Sequence, residues 1–193
     1  MTILEPPRLD AESDAVLGPL VRVIEEAAGE QPWALVGASA IQLHGISTSA
    51  PNLEFVTTDS ALNQLAEMLD VPVTWQRGAY VASARLQFMR SRVPVFVHGS
   101  PTFHGAYVSL TPVDIPALWD ARTQVDVNGT VVLATPLEWE LLLAVVLGNA
   151  ERATTIGDHL RAEGHDGRLL IRLMREGHVG SETEEAVWKH LER

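Results

Sequence analysis

A glycine turn that opens a helix is the first place where this sequence could do chemistry. Gly37, Ala38 and Ser39 follow the apolar run 33–36 and lead into a helical stretch. Such a turn aims free backbone N–H groups from the positive end of the helix dipole, so it can hold an anion without a special side chain. The second place is a segment without acids: positions 71–113 contain no Asp or Glu, whereas Arg77, Arg85, Arg90 and Arg92 all fall there. Guanidinium groups grip phosphate or carboxylate bidentately, and Arg85 is assigned with Gly37, Ala38 and Ser39 to one anion site. Both features also have plain structural readings, a tight turn for the glycine and β-favouring composition for the acid-free stretch.

Other chemistries lack support. The histidines are His44, His98, His104, His159, His165, His178 and His190. None pairs with another at a helical i, i+4 step beside an acid, and a metal centre needs several convergent ligands. There is no cysteine, which excludes disulfides, zinc ribbons and thiol catalysis. No nucleophile-elbow sequence supports a Ser-His-Asp triad. Arg168, Arg172 and Arg175 share a helix face that reads as solvated.

The elements that must position these residues follow from periodicity. Residues 12–29 carry Val16, Leu17, Leu20, Val21, Ile24 and Ala28 at helical steps, and Pro19 predicts a break or a late start. Residues 33–36 read as a strand, 38–44 as a helix stopped by Gly45, and 53–57 as a second strand. Asp59 or Ser60 then caps a helix with Leu62, Leu65, Ala66 and Leu69 inside. Residues 80–88 and 93–97 are further strands. Asn128-Gly129 between two apolar runs predicts a two-residue hairpin, because both turn positions need positive φ.

From Thr135 the pattern becomes helical, with Thr135, Pro136 and Glu138 reading as a capping box and the helix running to Leu147. Helices at 152–162, 167–176 and 182–191 complete the chain, the last with Ser181 and Glu184 as another capping box. The expected class is α+β, a mixed β-sheet flanked by helices with a helical carboxy-terminal portion. The chain divides into an α/β core at 1–115 and a part at 116–193, hairpin plus helices, packed on it.

Composition narrows the partners. A chain of 193 residues supports one sizeable core, and no apolar run approaches the roughly eighteen residues of a membrane span. The formal charge of −11 opposes nucleic-acid binding, since that affinity comes mainly from Lys and Arg neutralising phosphates. The first ten residues hold acids and prolines where an export signal would be basic and then apolar. A cytoplasmic location is therefore expected.

The stretch 33–57, WALVGASAIQLHGISTSAPNLEFVT, resembles the signature segment of the nucleotidyltransferase superfamily, with its polymerase-beta-like fold. In that pattern an apolar strand runs into Gly-Gly or Gly-Ser, a short helix ends in His-Gly or Tyr-Gly, and an Arg and a Thr precede Asp-x-Asp on the next strand. Gly37, Ala40, Leu43, His44 and Gly45 match the pattern. The departures are Ala38 for the second glycine, Thr48 for the Arg, Ala50 for the Thr, and Asn52 and Glu54 for the metal aspartates. The third carboxylate would fall on strand 93–97, where Phe96 stands. Later, Leu143 replaces a common Lys, and Asp158 matches a terminal Asp.

The resemblance implies a nucleotidyltransferase fold and Mg²⁺ chemistry in its active members. Mg²⁺ demands anionic oxygen in octahedral geometry and performs the transfer only when two or three carboxylates hold it. Asn52 supplies no charge, and Glu54 alone makes a weak metal position. The expectation is therefore a catalytically inactive member that binds a nucleotide-like anion or a protein partner, in the manner of toxin and antitoxin systems, with no certain cofactor and Mg²⁺ only alongside nucleotide. The alternatives are an active metal-dependent transferase using Glu54 and Asn52, and a structural homo-oligomer without ligand.

Overall fold

The computed structural model describes residues 9–192; the amino-terminal composition that argues against export falls largely outside them. Helix α1 (Ala11–Ala28) is capped by Asp10, whose carboxylate accepts the N–H groups of Glu12 and Ser13 at 3.0 Å each. It runs unbroken through Pro19. An interior proline costs about 3 kcal/mol. Burying Leu17, Leu20, Val21 and Ile24, at about 1.5–3 kcal/mol per side chain, outweighs it.

Strand β1 (Trp33–Leu35), helix α2 (Gly37–Leu43), strand β2 (Leu53–Thr57) and helix α3 (Asp59–Leu69) follow as expected, except that Thr58 caps α3 by accepting the Ala61 N–H. Strand β3 (Thr74–Arg77) has no counterpart in the sequence reading: it is short, mostly exposed and lacks alternation. The next two strands are longer than expected, β4 (Val81–Arg90) and β5 (Val93–His104). Gly99 and Pro101 suggest a turn, yet β5 passes through both, and a register slip between Ala82 and Ala84 absorbs the irregularity. His98 and His104 therefore lie on one strand.

After the two-residue strand β6 (Ser109–Leu110) and helix α4 (Pro116–Asp120) come β7 (Thr123–Val127) and β8 (Thr130–Ala134). They form the expected hairpin, with Asn128 at φ 53° and Gly129 at φ 80°. The sheet order is β3-β4-β5-β2-β1-β8-β7, with β6 on β5. β1 and β2 are antiparallel, β2 and β5 parallel, and β1 and β8 parallel. The hairpin thus extends the sheet past β1, so the boundary at 115 falls between strands of one sheet.

Helices α5 (Leu137–Val146), α6 (Ala150–Glu163), α7 (Gly167–Glu176) and α8 (Ser181–Lys189) form the carboxy-terminal portion. Neither capping box is present: Pro136 precedes α5 and Gly180 precedes α8, without a side-chain cap at either. Thr135 and Glu138 are engaged elsewhere. The Glu138 carboxylate accepts the Asp166 N–H at 2.8 Å, and tertiary bonds of that kind outweigh a local cap.

Two apolar cores result. One lies between α1, α3 and a face of the sheet, around Leu17, Phe55, Leu62, Leu86 and Val97. The other joins α4 to α8 around Trp139, Leu142, Ile156 and Leu173. Among the described residues no helix is long and apolar enough to cross a membrane.

Candidate functional site

The sheet face turned away from α1 and α3 carries the polar residues. Register sets them side by side: Glu54 on β2 is opposite Phe96 on β5, and His98, two residues on, is opposite Arg85 on β4. Paired strand residues share a face, so Glu54, Phe96, His98 and Arg85 form one row.

Gly37 adjoins this row at φ +68°. A side chain there is strained in that conformation, and a Cβ would also stand 3.5 Å from Glu54 Oε2. The Val36 N–H donates to the Glu54 carbonyl at 2.8 Å. Ser39, buried, donates its hydroxyl to the Asn52 carbonyl at 2.7 Å. The sequence-derived positions Gly37, Ser39, Asn52 and Glu54 are therefore gathered around one end of the sheet, and Ala38 follows Gly37 in the first turn of α2; Arg85, expected to share their anion site, stands two strands from Glu54 on β4 and bonds Gln87 instead.

What these groups are free to do is more restricted. The Gly37 N–H already donates to Glu140 Oε1 at 3.0 Å, and the Thr135 hydroxyl donates to the same oxygen at 2.5 Å. An internal carboxylate thus sits where the expected anion would sit. The Ser39 hydroxyl is committed to Asn52. Arg85 keeps the most freedom: its Nη2 donates to Gln87 at 2.9 Å, its guanidinium carbon stands 5.4 Å from the centre of the Phe96 ring, and its buried Nε has no partner.

Glu54 is also engaged. The His98 Nε2–H donates to Glu54 Oε1 at 3.0 Å, and with that nitrogen protonated Nδ1 accepts from the Ser83 hydroxyl at 2.9 Å. A Ser, a His and an acid in series have the connectivity of a nucleophilic relay. Ser83 has no exposed surface, however, so no substrate carbonyl can reach its oxygen. The chain of bonds instead fixes the ring and aims it at Glu54.

Glu140 is the residue that sequence reading missed. It lies on α5 at 1% exposure, with Oε1 doubly bonded and Oε2 buried without a partner. Burial pushes its carboxyl above the usual range and the nearby Glu54 adds to this, while the bonds from Thr135 and Gly37 and the charge of Arg152 act in the opposite direction. A second acid therefore does reach the Gly37 turn, from an element far away in sequence. The signal was present: Glu140 falls on a helix that is apolar apart from Glu138, at i−3 and i−4 from Leu143 and Ala144.

Asp158 does not join the site; it pairs with Arg161 on α6. His44 at the end of α2 donates its Nε2–H to the Thr135 carbonyl at 2.7 Å, and burial holds its pKa below the ordinary value.

Among solved structures, the nucleotidyltransferase candidate TM1012 of Thermotoga maritima matches with a TM-score of 0.57 at 16% identity, over 77% of this chain and 95% of that one. This chain has the nucleotidyltransferase fold. Weaker matches are an antigenic nucleotidyltransferase-like protein of Paracoccidioides brasiliensis (TM-score 0.48, 14% identity, 93% of each chain) and ANT(2'')-Ia in complex with adenylyl-2''-tobramycin (TM-score 0.48, 13% identity, 83% of this chain and 97% of that one). No protein-family profile matches the sequence, and no curated protein does.

The nucleotidyltransferase fold raises the question of Mg²⁺, and the residues here do not fit it. Glu54 is the one acid of the Asn52-x-Glu54 pair, its parallel neighbour is Phe96, and its carboxylate is bonded by an imidazole. Glu140 is occupied on one oxygen and buried on the other. Among the described residues no group of three His, Cys, Asp or Glu is placed to hold a metal ion. A hard dication needs more anionic oxygen than this.

Proposed function

We propose that this chain has kept the nucleotidyltransferase fold without nucleotidyl transfer, and acts by binding a small anionic ligand. The supporting observation is the register of β2 on β5, which puts Phe96 beside Glu54 where a further carboxylate is required, while His98 bonds Glu54 itself. Transfer relies on metal ions that stabilise charge on the phosphoryl oxygens and the attacking hydroxyl, and this donor set gives them too little charge. Binding needs only fixed donors, which the acid-free segment and the carboxy-terminal helices supply.

The test is incubation with Mg²⁺ and ATP labelled at the α-phosphate, in the presence of cell RNA and protein. No labelled product is expected. Label transferred by the native chain and lost in Glu54→Gln contradicts the proposal and establishes the active alternative. Calorimetric titration with ATP, run in parallel, reads binding independently of transfer.

A further inference from the structure

Beyond Glu140 lies a cavity of about 260 Å³ whose lining includes Tyr80, Glu140, Leu143, Leu147, Asn149 and Arg152. Leu143 and Leu147 stand four residues apart in the sequence, so they share a helical face and make an apolar wall. Tyr80, 64% exposed, stands at the mouth.

Among the described residues, the polar groups around this wall have atoms left without a partner. Glu140 Oε1 already accepts from Gly37 and Thr135, so a proton on this carboxyl resides on Oε2, the buried oxygen that has no partner. Asn149 caps α6 by accepting the Arg152 N–H on Oδ1 at 3.1 Å, which leaves its amide NH₂ to donate. Arg152 sits in the first turn of α6, at the positive end of a 14-residue helix. A cation is disfavoured there, and its guanidinium closes no ion pair or side-chain hydrogen bond among the described residues.

We propose that this cavity binds a small organic carboxylate, its oxygens held by Arg152 and the Asn149 amide beside Glu140, and its apolar body laid against Leu143, Leu147 and Tyr80. An amine is disfavoured by Arg152 and by the helix end. A bare phosphate leaves the leucine wall uncovered. The charged groups acting on Glu140 are Glu54 from β2, which opposes its ionisation, and Arg152 from α6, which favours it; Gly37 and Thr135 contribute uncharged donors. The inference rests on the binding reading above and names the class of ligand.

Isothermal titration of the full chain with benzoate, hexanoate, inorganic phosphate and hexylamine tests it, at mildly acidic and at mildly alkaline pH. Benzoate and hexanoate are expected to bind with dissociation constants of roughly 0.1–1 mM, in keeping with the affinity available per atom to ligands of this size. Binding should weaken as pH rises and Glu140 ionises. Arg152→Ala should weaken it about tenfold or more, because it removes the charged fork. Glu140→Gln removes the carboxyl whose ionisation opposes an anion in the cavity, so it should lose the pH dependence. Arg168→Ala, on the first turn of α7, should change nothing, and thermal melts confirm folding of each variant.

Hexylamine bound in place of the acids, phosphate bound as tightly as benzoate, or carboxylate binding unchanged in a folded Arg152→Ala variant overturns the proposal. Silence with every carboxylate while ATP binds also overturns the cavity, and leaves the binding reading standing. Transfer of label from ATP alongside carboxylate binding does the reverse.

Discussion

The Glu54 carboxylate and the Arg152 guanidinium both act on Glu140, and they differ in how their own charge is used. Around Glu54 lie a glycine turn, a central strand pair and one acid. Two of its polar groups are nonetheless committed, Oε1 to His98 and the Gly37 N–H to Glu140. Around Arg152 no familiar motif exists, yet a guanidinium, a carboxyl oxygen and an amide group are left uncommitted beside an apolar wall. Uncommitted buried polar atoms are costly, and Glu140 Oε2 is one of them.

The largest expected effect tests the group shared by both regions. Glu140→Ala strips the acceptor from the buried Gly37 N–H, leaves the Thr135 hydroxyl only its 3.3 Å bond to the Leu35 carbonyl, and opens a void. A loss of about 3 kcal/mol or more is expected from denaturant unfolding. A loss under about 1 kcal/mol would mean that the carboxylate does not hold the turn.

Next in size is His98→Ala. It removes the bond to Glu54 and leaves the buried Ser83 hydroxyl unpaired, at an expected cost of about 1–2 kcal/mol. Should the variant be as stable as the native chain, Glu54 is not committed to His98 and the contrast between the two regions disappears.

A smaller effect appears in pH. Burial raises the Glu140 carboxyl above the usual range, so the folded chain retains a proton that the unfolded chain has released. Its stabilising effect is complete below the unfolded carboxylate's pKa and declines as pH rises through the folded value. The Tm of the native chain is expected to fall across that window, while that of Glu140→Gln stays level. Parallel curves would place the titrating group elsewhere.

Smallest is Arg85→Ala, which removes a partly exposed side chain stacked over Phe96 and bonded to Gln87. A change within about 0.5 kcal/mol is expected. A larger loss would move structural weight from the helical side to the sheet face.

The sheet side was the legible one. Apolar runs interrupted by Gly37, Asn128 and Gly129 gave strands and turns, because backbone conformation at those positions depends on local residue type. The helix α7 was readable to its ends, 167–176, from its periodicity. The caps at Thr135 and Ser181 were not, since a local capping box competes with tertiary bonds that no short window contains. The same reason hid the heart of the site. Gly37, Asn52 and Glu54 lie within one stretch and could be read together, whereas Glu140 stands 103 positions from the Gly37 N–H that it accepts, and His98 stands 44 positions from Glu54. Only the register of β2 on β5 and the packing of α5 reveal that the turn is filled and the acid is bonded.

The central claim is that Glu54 and its neighbours do not hold a divalent cation, and Mn²⁺ titration followed by electron paramagnetic resonance addresses it directly. The native chain should leave the free Mn²⁺ signal intact at millimolar metal, and Asn52→Asp combined with Phe96→Asp, which restores acids beside Glu54, should quench it. Quenching by the native chain that disappears in Glu54→Gln would contradict the claim.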